Sequence, residues 1–344
     1  MKQKHTARGF TLVELLISMV IGLVLMTGVT SVFISSSDSY RRLQGLASIQ
    51  ERGRIAIQIL QNAVQVAGYT GCRKSVTINN VLNNNTSYVR DFTQPIEGFD
   101  ATATANTWDP AMEATISSPL WAGGDVLTVR GPVGYGVSLT ANMGSVTSSL
   151  SVPAGSPFVA NDFMMAVSCQ GSADVFEKTD SGGLAVTTIA HAGSGRNGSA
   201  SLGSAYEAND MVVKVATTSF FVRDSAAIAG TRALYFQEGE NTDGSSNPLA
   251  LIEGIDGMQI LYGVTSNTDT SANQYLTAAQ VNTAGSWGNV VNVRISLLVA
   301  SLNPTVKASN TNVYSLLGVD YGPFNDLYQR RVFTTTITLR NRSF

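Results

Sequence analysis

The residue whose chemistry stands out first is Glu14, an acid placed inside an apolar segment. The apolar run begins at Phe10 and continues to about Ile34, and Glu14 lies four residues after its first member. A carboxylate inside a bilayer costs roughly 2.5–3.5 kcal/mol on insertion scales, so such a group usually has a partner. Two interpretations remain open. Either the carboxylate lies in the headgroup region near the start of the segment, or it pairs with a positive group that arrives later.

The two cysteines, Cys72 and Cys169, are the next candidates for chemistry. They are too far apart in sequence to form a CxxC redox or zinc motif. If this part of the chain lies outside the cytoplasm, a disulfide between them is favoured. Closing a loop of about 100 residues would stabilise the fold by roughly 4–5 kcal/mol in the chain-entropy model. The alternative is two buried free thiols.

Patterns for catalysis and metal binding are missing from the sequence. Only His191 remains after the first nine residues, which excludes His-rich zinc sites and argues against a Ser-His-Asp triad. There is no HExxH, GxSxG or Walker A motif. We therefore expect no catalytic residue, no metal site, no cofactor and no enzymatic activity.

The charge balance argues against general nucleic-acid binding. The chain has 22 basic and 24 acidic residues, and Lys2, Lys4 and Arg8 lie in its first nine residues. Removing that segment would leave 19 basic and 24 acidic residues, a formal charge of −5. No basic surplus then remains to neutralise phosphates generally, although a local basic patch is still compatible with these numbers.

A membrane-spanning helix is predicted for residues 10–35. A run of roughly 25 apolar residues is long enough to cross a bilayer. Gly22, Thr27 and Gly28 are small enough to permit close helix packing in lipid. The three basic residues before the run place the N-terminus in the cytoplasm by the positive-inside rule. An ordinary secretory signal would instead have its cleavage site after the apolar stretch.

The same helix is predicted to continue through residues 36–70 as an amphipathic half, so that one helix runs from about Thr11 to Ala67. Apolar and small residues recur there at spacings of three and four, which places them on one face of a helix. This seam consists of Leu46, Ile49, Gly53, Ala56, Leu60, Ala63 and Ala67. Gly68 and Gly71 are the predicted stop signals.

Residues 71–344 are predicted to form a β-rich head, which makes the fold class α+β. Apolar residues alternate with others over Val291–Val299 and Phe333–Leu339, a period typical of strands. The other strand candidates are Asp125–Arg130, Phe163–Cys169, Met211–Val222, Ala233–Gln237 and Met258–Val264. The predicted loops are Asn79–Asn85, Gly193–Gly203, Asn241–Asn247 and Thr265–Asn273.

The N-terminal residues resemble those of a known family. The segment Arg8–Leu16 resembles the class III signal of type IV prepilins and type II secretion pseudopilins. The resemblance implies that residues 1–9 are a leader peptide, that a membrane-embedded prepilin peptidase cuts between Gly9 and Phe10, and that the same enzyme methylates the new amine of Phe10. It also implies that Glu14 of an incoming subunit pairs with this amine on a neighbour. In a low dielectric both charges must be present for either to be tolerated.

The end of the predicted helix and several head segments resemble PilW-type minor pilins. The resembling segments are Ala56–Cys72, Leu251–Val264, Val293–Val299 and Arg331–Asn341. The resemblance implies one long helix, half in lipid and half against a globular head. Residues 73–240 carry no diagnostic pattern. The head is large for a major pilin, which favours a minor pilin.

The favoured hypothesis is a minor pilin that contributes to the initiation and assembly of a type IV pilus. The alternatives are a minor pseudopilin of a type II secretion system and a pilus-displayed adhesin with a ligand-binding head. The implied partners are the prepilin peptidase, other minor pilins, the major pilin, an inner-membrane platform with a cytoplasmic ATPase, and a large tip adhesin. The precursor is expected in the inner membrane with one pass and a cytoplasmic N-terminus, and the assembled protein in the periplasm and surface pilus.

Overall fold

Helix α1 runs from Leu12 to Val66 and forms the N-terminal part of the fold. The computed structural model describes residues 11–71, 76–102, 107–112, 116, 124–182, 186–239, 248–266 and 271–342. In it α1 is one unbroken element of 55 residues, about 82 Å long at 1.5 Å per residue. The predicted single helix is confirmed to within one residue at each end.

Both ends of α1 have identifiable signals. At the start, the hydroxyl of Thr11 accepts a hydrogen bond from the Glu14 N–H at 3.3 Å. At the other end, Gly68 has a φ of +66°, a left-handed conformation that glycine adopts without steric cost. The Gly68 N–H then donates to the carbonyl of Arg130 at 2.9 Å, which ties the end of the helix to the sheet. The predicted stop at Gly68 is confirmed.

One face of the second half of α1 is buried in the head. The buried residues recur every three or four positions: Gly45, Ile49, Gly53, Ala56, Leu60 and Val64. Small residues on this face let the sheet approach closely. A Cβ built on Gly53 would lie 2.6 Å from the ring of Phe333, inside the distance that real side chains keep.

The predicted seam was wrong at Leu46, whereas Ala63 does pack against the apolar core. Leu46 is exposed, and Gly45 is buried in its place. The side chain of Thr305 lies directly over Gly45, where an added Cβ would be only 2.6 Å from its methyl group. Further along, Ala63 is half-buried and Val64 takes the buried position. The face of α1 that contacts the head therefore begins at Gly45, because a residue without a side chain leaves room for Thr305.

The described part of the head contains eighteen strands and a short α-helix, α2 (Ala278–Thr283). Two 3₁₀ turns follow, at Trp287–Asn289 and Arg340–Arg342. The strands are β1 (Thr77–Asn80), β2 (Ile96–Ala101), β3 (Trp108–Asp109), β4 (Val126–Pro132), β5 (Val137–Ser138), β6 (Leu150–Ser151), β7 (Phe163–Ser168), β8 (Ser172–Glu177), β9 (Thr188–Ile189), β10 (Met211–Asp224), β11 (Arg232–Glu238), β12 (Leu249–Glu253), β13 (Ile255–Val264), β14 (Gln274–Leu276), β15 (Val290–Ala300), β16 (Tyr314–Leu316), β17 (Val319–Tyr321) and β18 (Arg330–Thr338).

Strand β10 is the long central member of a ten-stranded sheet. Its first part pairs with β5 and β7, and its second part pairs with β4 and β11, all antiparallel. The sheet continues from β7 to β8 and β1, from β4 to β2 and β3, and from β11 to β12. The pairing of β1 with β8 is parallel. This sheet occupies most of the middle of the chain.

A four-stranded antiparallel sheet, in the order β14, β13, β15, β18, carries α1. Alternate residues of β15 belong to the same apolar core as Ile49 and Leu60 of the helix. These residues are Val293, Ile295, Leu297 and Val299. The opposite face of β15 is covered too, since Leu298 packs with Leu316 and Tyr321 of the β16–β17 hairpin. The sequence alternation did not indicate this second cover.

Each predicted strand overlaps an observed one, but one predicted loop was partly wrong. Asn79 and Asn80 end strand β1 instead of starting a loop. The Asn79 amide nitrogen donates to the carboxylate of Asp174, its register partner on β8. Pairing to a neighbouring strand thus outweighs the turn preference of asparagine. The stretch Gly193–Gly203 does connect strands as predicted, whereas 241–247 and 267–270 lie outside the described residues.

The predicted disulfide stays a prediction, because Cys72 lies outside the described residues. Cys169 follows directly after β7. Gly71, the last described residue before Cys72, lies against Val167 of the same strand, where a Cβ would be 2.4 Å from the valine methyl. The chain therefore reaches β7 next to the position of Cys169.

A buried carboxyl group, Asp125, joins the two large sheets. Its N–H donates to the Met258 carbonyl at 2.9 Å. Its side-chain oxygens accept from the N–H of Ala101 at 3.0 Å and from the N–H of Ile260 at 2.8 Å. Burial raises the pKa of the Asp125 carboxyl to about 8, against the lowering effect of these donors.

The raised pKa of Asp125 predicts that stability falls with rising pH. The folded chain keeps this proton up to about pH 8, whereas an unfolded Asp ionises near about pH 4. The contribution is therefore complete below about pH 4 and is lost progressively as the pH rises through the folded pKa, by at most about 1.4 kcal/mol per pH unit. Urea unfolding of the full chain in micelles at several pH values measures it. In Asp125→Asn this slope should disappear; an unchanged slope would show that another group is responsible.

The close contact at Gly53 predicts that the stability of the head depends strongly on the size of the residue at this position. Gly53→Leu should destabilise the head by about 1–3 kcal/mol, because the added side chain must displace Phe333. Gly28→Leu is the matched control, since nothing lies within 4 Å of a Cβ at Gly28. Thermal unfolding of both variants in micelles gives the comparison. Equal melting temperatures would contradict the packing argument, and Phe333→Ala should partly rescue Gly53→Leu.

Candidate functional site: the exposed N-terminal half of α1

In the described part of the chain, the first half of α1 presents exposed apolar side chains on every side. From Leu12 to Ile34 all of its large hydrophobic side chains are exposed, up to 76% for Leu12. Residues 15–37 contain no charged side chain, a stretch of about 35 Å at 1.5 Å per residue. The segment is long and apolar enough to cross a membrane. Apolar surface on this scale marks a membrane or protein contact.

Glu14 forms a capping box with Thr11 at the start of this half. The Thr11 N–H and hydroxyl both donate to the Glu14 Oε2, each at 3.2 Å, while the Glu14 N–H donates to the Thr11 hydroxyl. The pair thus satisfies backbone donors that a helix start leaves open. A negative group in the first turn also interacts favourably with the helix dipole. The acid is held at the membrane-entry end of the helix.

Thr11 is a functional residue that the sequence reasoning missed. The tetrapeptide Thr11–Glu14 has the form of a capping box, a Thr followed three residues later by a Glu before an apolar run. That signal was present in the sequence. The structure shows that Glu14 has a hydrogen-bonding role within its own chain, in addition to any charge partner on a neighbour.

Several hydroxyl groups of the first half form hydrogen bonds within the helix. The hydroxyl of Ser18 donates to the Leu15 carbonyl at 2.9 Å, and the hydroxyl of Thr30 donates to the Met26 carbonyl at 2.8 Å. A Cβ on Gly22 would meet nothing within 4 Å, as at Gly28. Contacts inside the chain therefore do not require glycine at these positions. The missing side chains make the helix thinner there, so that another helix can approach closely.

The head meets the apolar half at one ion pair. Asp38 is the first charged residue after Glu14, and its carboxylate pairs with Lys307 of the head. The Lys307 side chain is 63% exposed, so the pair adds little stability. The pair instead marks the level on α1 at which the exposed apolar stretch ends and the head begins.

Several predicted site residues lie elsewhere. Gly9 and Phe10, the predicted cleavage site, lie outside the described residues, so their processing stays a prediction. His191 is buried, with its two ring nitrogens 3.0 Å from the Ala200 carbonyl and 2.8 Å from the Ser148 carbonyl. These contacts hold loops of the head together.

Two family models match the chain in the regions just described. Residues 4–30 match the prokaryotic N-terminal methylation motif, and residues 219–341 match the type IV pilus-assembly protein W family, PilW. Together they support a PilW-type minor pilin of type IV pili. No curated protein and no solved structure matches it.

The two matches cover the exposed apolar half of α1 and the sheet that packs against its other half. The first contains the capping box and most of the exposed half of α1. The second runs from the later part of β10 through β18 and therefore includes the whole four-stranded sheet under α1. Most of the ten-stranded sheet lies between them.

Substitutions at Glu14 separate capping from charge pairing. Glu14→Gln keeps a side-chain oxygen that can accept from Thr11 but removes the charge. If the charge has a partner in the filament, this variant should enter pili about tenfold less, the effect of about 1.4 kcal/mol. Immunoblots of sheared pili and membranes measure the ratio. Incorporation equal to that of the unaltered chain would limit the acid to helix capping.

Proposed function

We propose that this minor pilin contributes to the initiation and assembly of a type IV pilus, after its leader is removed. In this proposal prepilin peptidase cuts after Gly9 and methylates the amine of Phe10. The freed amine on a neighbouring subunit then becomes the partner of the Glu14 charge. The chain itself carries out no catalysis and needs no cofactor.

The proposal rests on the different environments of the two halves of α1, which is one continuous helix. Its second half is locked into the head by the buried face from Gly45 to Val64. Its first half is exposed on all sides and has no cover within the described chain. Such a surface is stable only in lipid or against other apolar helices. A membrane precursor and a helix-bundled filament are the two environments that meet this requirement.

The membrane precursor is expected to have a cytoplasmic N-terminus and an extracytoplasmic head. The basic residues Lys2, Lys4 and Arg8 favour this orientation. The subunit would leave the membrane when an inner-membrane platform, driven by a cytoplasmic ATPase, moves it into the growing filament. Neighbours would be other minor pilins and the major pilin, with a large tip adhesin as a further partner.

Intact mass tests the processing step. In cells that contain prepilin peptidase, the chain should begin at Phe10 and carry one additional methyl group. In cells without the peptidase it should retain residues 1–9. A chain that keeps its first nine residues in both strains would reduce the protein to an anchored ectodomain and refute the proposal.

Deletion of the gene tests the assembly role. Loss of an initiator should greatly reduce the number of surface pili, counted by electron microscopy, and the unaltered gene should restore them. A normal number of pili that no longer bind would support a displayed adhesin instead. Normal pili together with a secretion defect would support a pseudopilin.

A further inference from the structure

Strand β18 is an edge strand that lies along the extracytoplasmic half of α1. All nine of its residues pair with β15 without any register shift. No strand pairs with its other edge in the described parts of the chain. Phe333 lies at the level of Gly53, and the amide nitrogen of Asn341 donates to the carbonyl of Gln65 at 3.1 Å. The edge therefore runs beside the helix well above the apolar half.

The groups that point outward from this edge can be assigned. The N–H of Leu339 donates to the carbonyl of Val291 at 2.9 Å, which makes the odd-numbered residues the ones that bond to β15. The N–H and C=O groups of the even-numbered residues then point away from the sheet. Beyond Arg330, whose side chain is held by Asp256 and Asp326, these residues are Val332, Thr334, Thr336 and Thr338. The three threonines are exposed, so the row is accessible.

Natural sheets usually protect such an edge, and the strands at the other ends of the two larger sheets are short or irregular. Strands β14, β3 and β1 have three, two and four residues, and β12 pairs with β11 through an irregular register. Short edges and bulges both prevent unwanted pairing. Strand β18 is longer, regular and free of proline and lysine. Its run of threonines and its valine favour extended backbone.

The charges on this segment are all positive. Strand β18 has no acid, and its charged residues are Arg330 and Arg331. Arg330 is neutralised by Asp256 and Asp326, both at 2.6 Å. Arg331 and, just after the strand, Arg340 are exposed. The accessible edge thus has an exposed cation near each end.

We propose that β18 is a docking edge for an extended, acidic segment of a partner protein, which joins the four-stranded sheet as a fifth strand. Backbone hydrogen bonds to the four outward residues would supply affinity, as in strand addition generally. Carboxylates of the segment would face Arg331 and Arg340, and this charge match would select the partner and its register. This contact is independent of where the chain sits in the pilus, so the mass and piliation experiments do not test it.

Photo-crosslinking in intact cells tests this contact on the full-length protein. A photoreactive residue replaces Thr336 on the edge, and in a control it replaces Asp320, which is exposed on β17. Mass spectrometry then identifies the attached peptide. An acidic segment of another protein, attached from position 336 and not from 320, would support the proposal. No adduct from 336, or adducts only with a second copy of this chain, would overturn it.

A proline–alanine pair separates backbone pairing from side-chain contact. Thr334→Pro removes an outward N–H and leaves the bonds to β15 intact, whereas Thr334→Ala loses the same hydroxyl but keeps the N–H. The proline variant should lower the crosslink yield at position 336 by about tenfold, and the alanine variant should leave it nearly unchanged. Equal yields would refute strand addition.

Charge reversal at the two exposed arginines tests the acidic character assigned to the partner. Arg331→Glu and Arg340→Glu should each lower the yield several-fold, and more at low ionic strength than at high. Melting temperatures of all variants are compared with that of the unaltered chain. If neither arginine matters while the proline variant does, the acidic character assigned to the partner is wrong.

Discussion

The contact between the second half of α1 and the four-stranded sheet is the constraint on which the rest of the structure depends. Gly53 and Ala56 keep that face of the helix narrow, and Phe333 occupies the space that a larger residue at position 53 would fill. Ile49 and Leu60 complete the contact with the alternate residues of β15. Because protein interiors are packed at the density of crystals, the helix can pack on the sheet in one position only. Its direction fixes where the exposed half projects.

The ten-stranded sheet is joined to this framework by polar contacts that would be costly to leave unmade. Asp125, just before β4, bonds to β13 through its own N–H, which donates to Met258, and through its carboxyl, which accepts from Ile260. The same carboxyl accepts from Ala101 at the end of β2. The carboxylate of Asp100 accepts from two N–H groups at the start of α2. Buried polar groups with complete partners hold two sheets in one arrangement, since any slip would leave donors unsatisfied. The position of the ten-stranded sheet is therefore set by the four-stranded sheet.

The exposed half of α1 is stable as a helix but incomplete as a surface. Its hydroxyls bond to carbonyls of the preceding turn, and Thr11 and Glu14 satisfy its first donors. These groups thus enter an apolar environment with partners, as a bilayer requires. The apolar side chains have no partner within the described chain. The remaining charge on Glu14 is the feature that hydrogen bonding alone does not offset.

The sequence by itself determined the elements with strong local signals. The uncharged run after Glu14, the three-four spacing and Gly68 defined one long helix, and alternation located β15 and β18, because these patterns record which face of each element is apolar. Only the tertiary structure decided that Gly45 rather than Leu46 meets the head, that a hairpin covers the second face of β15, and that β18 is an edge. Each of these depends on residues distant in sequence, such as Thr305 and Tyr321, whose approach leaves no periodic trace in the segment it covers.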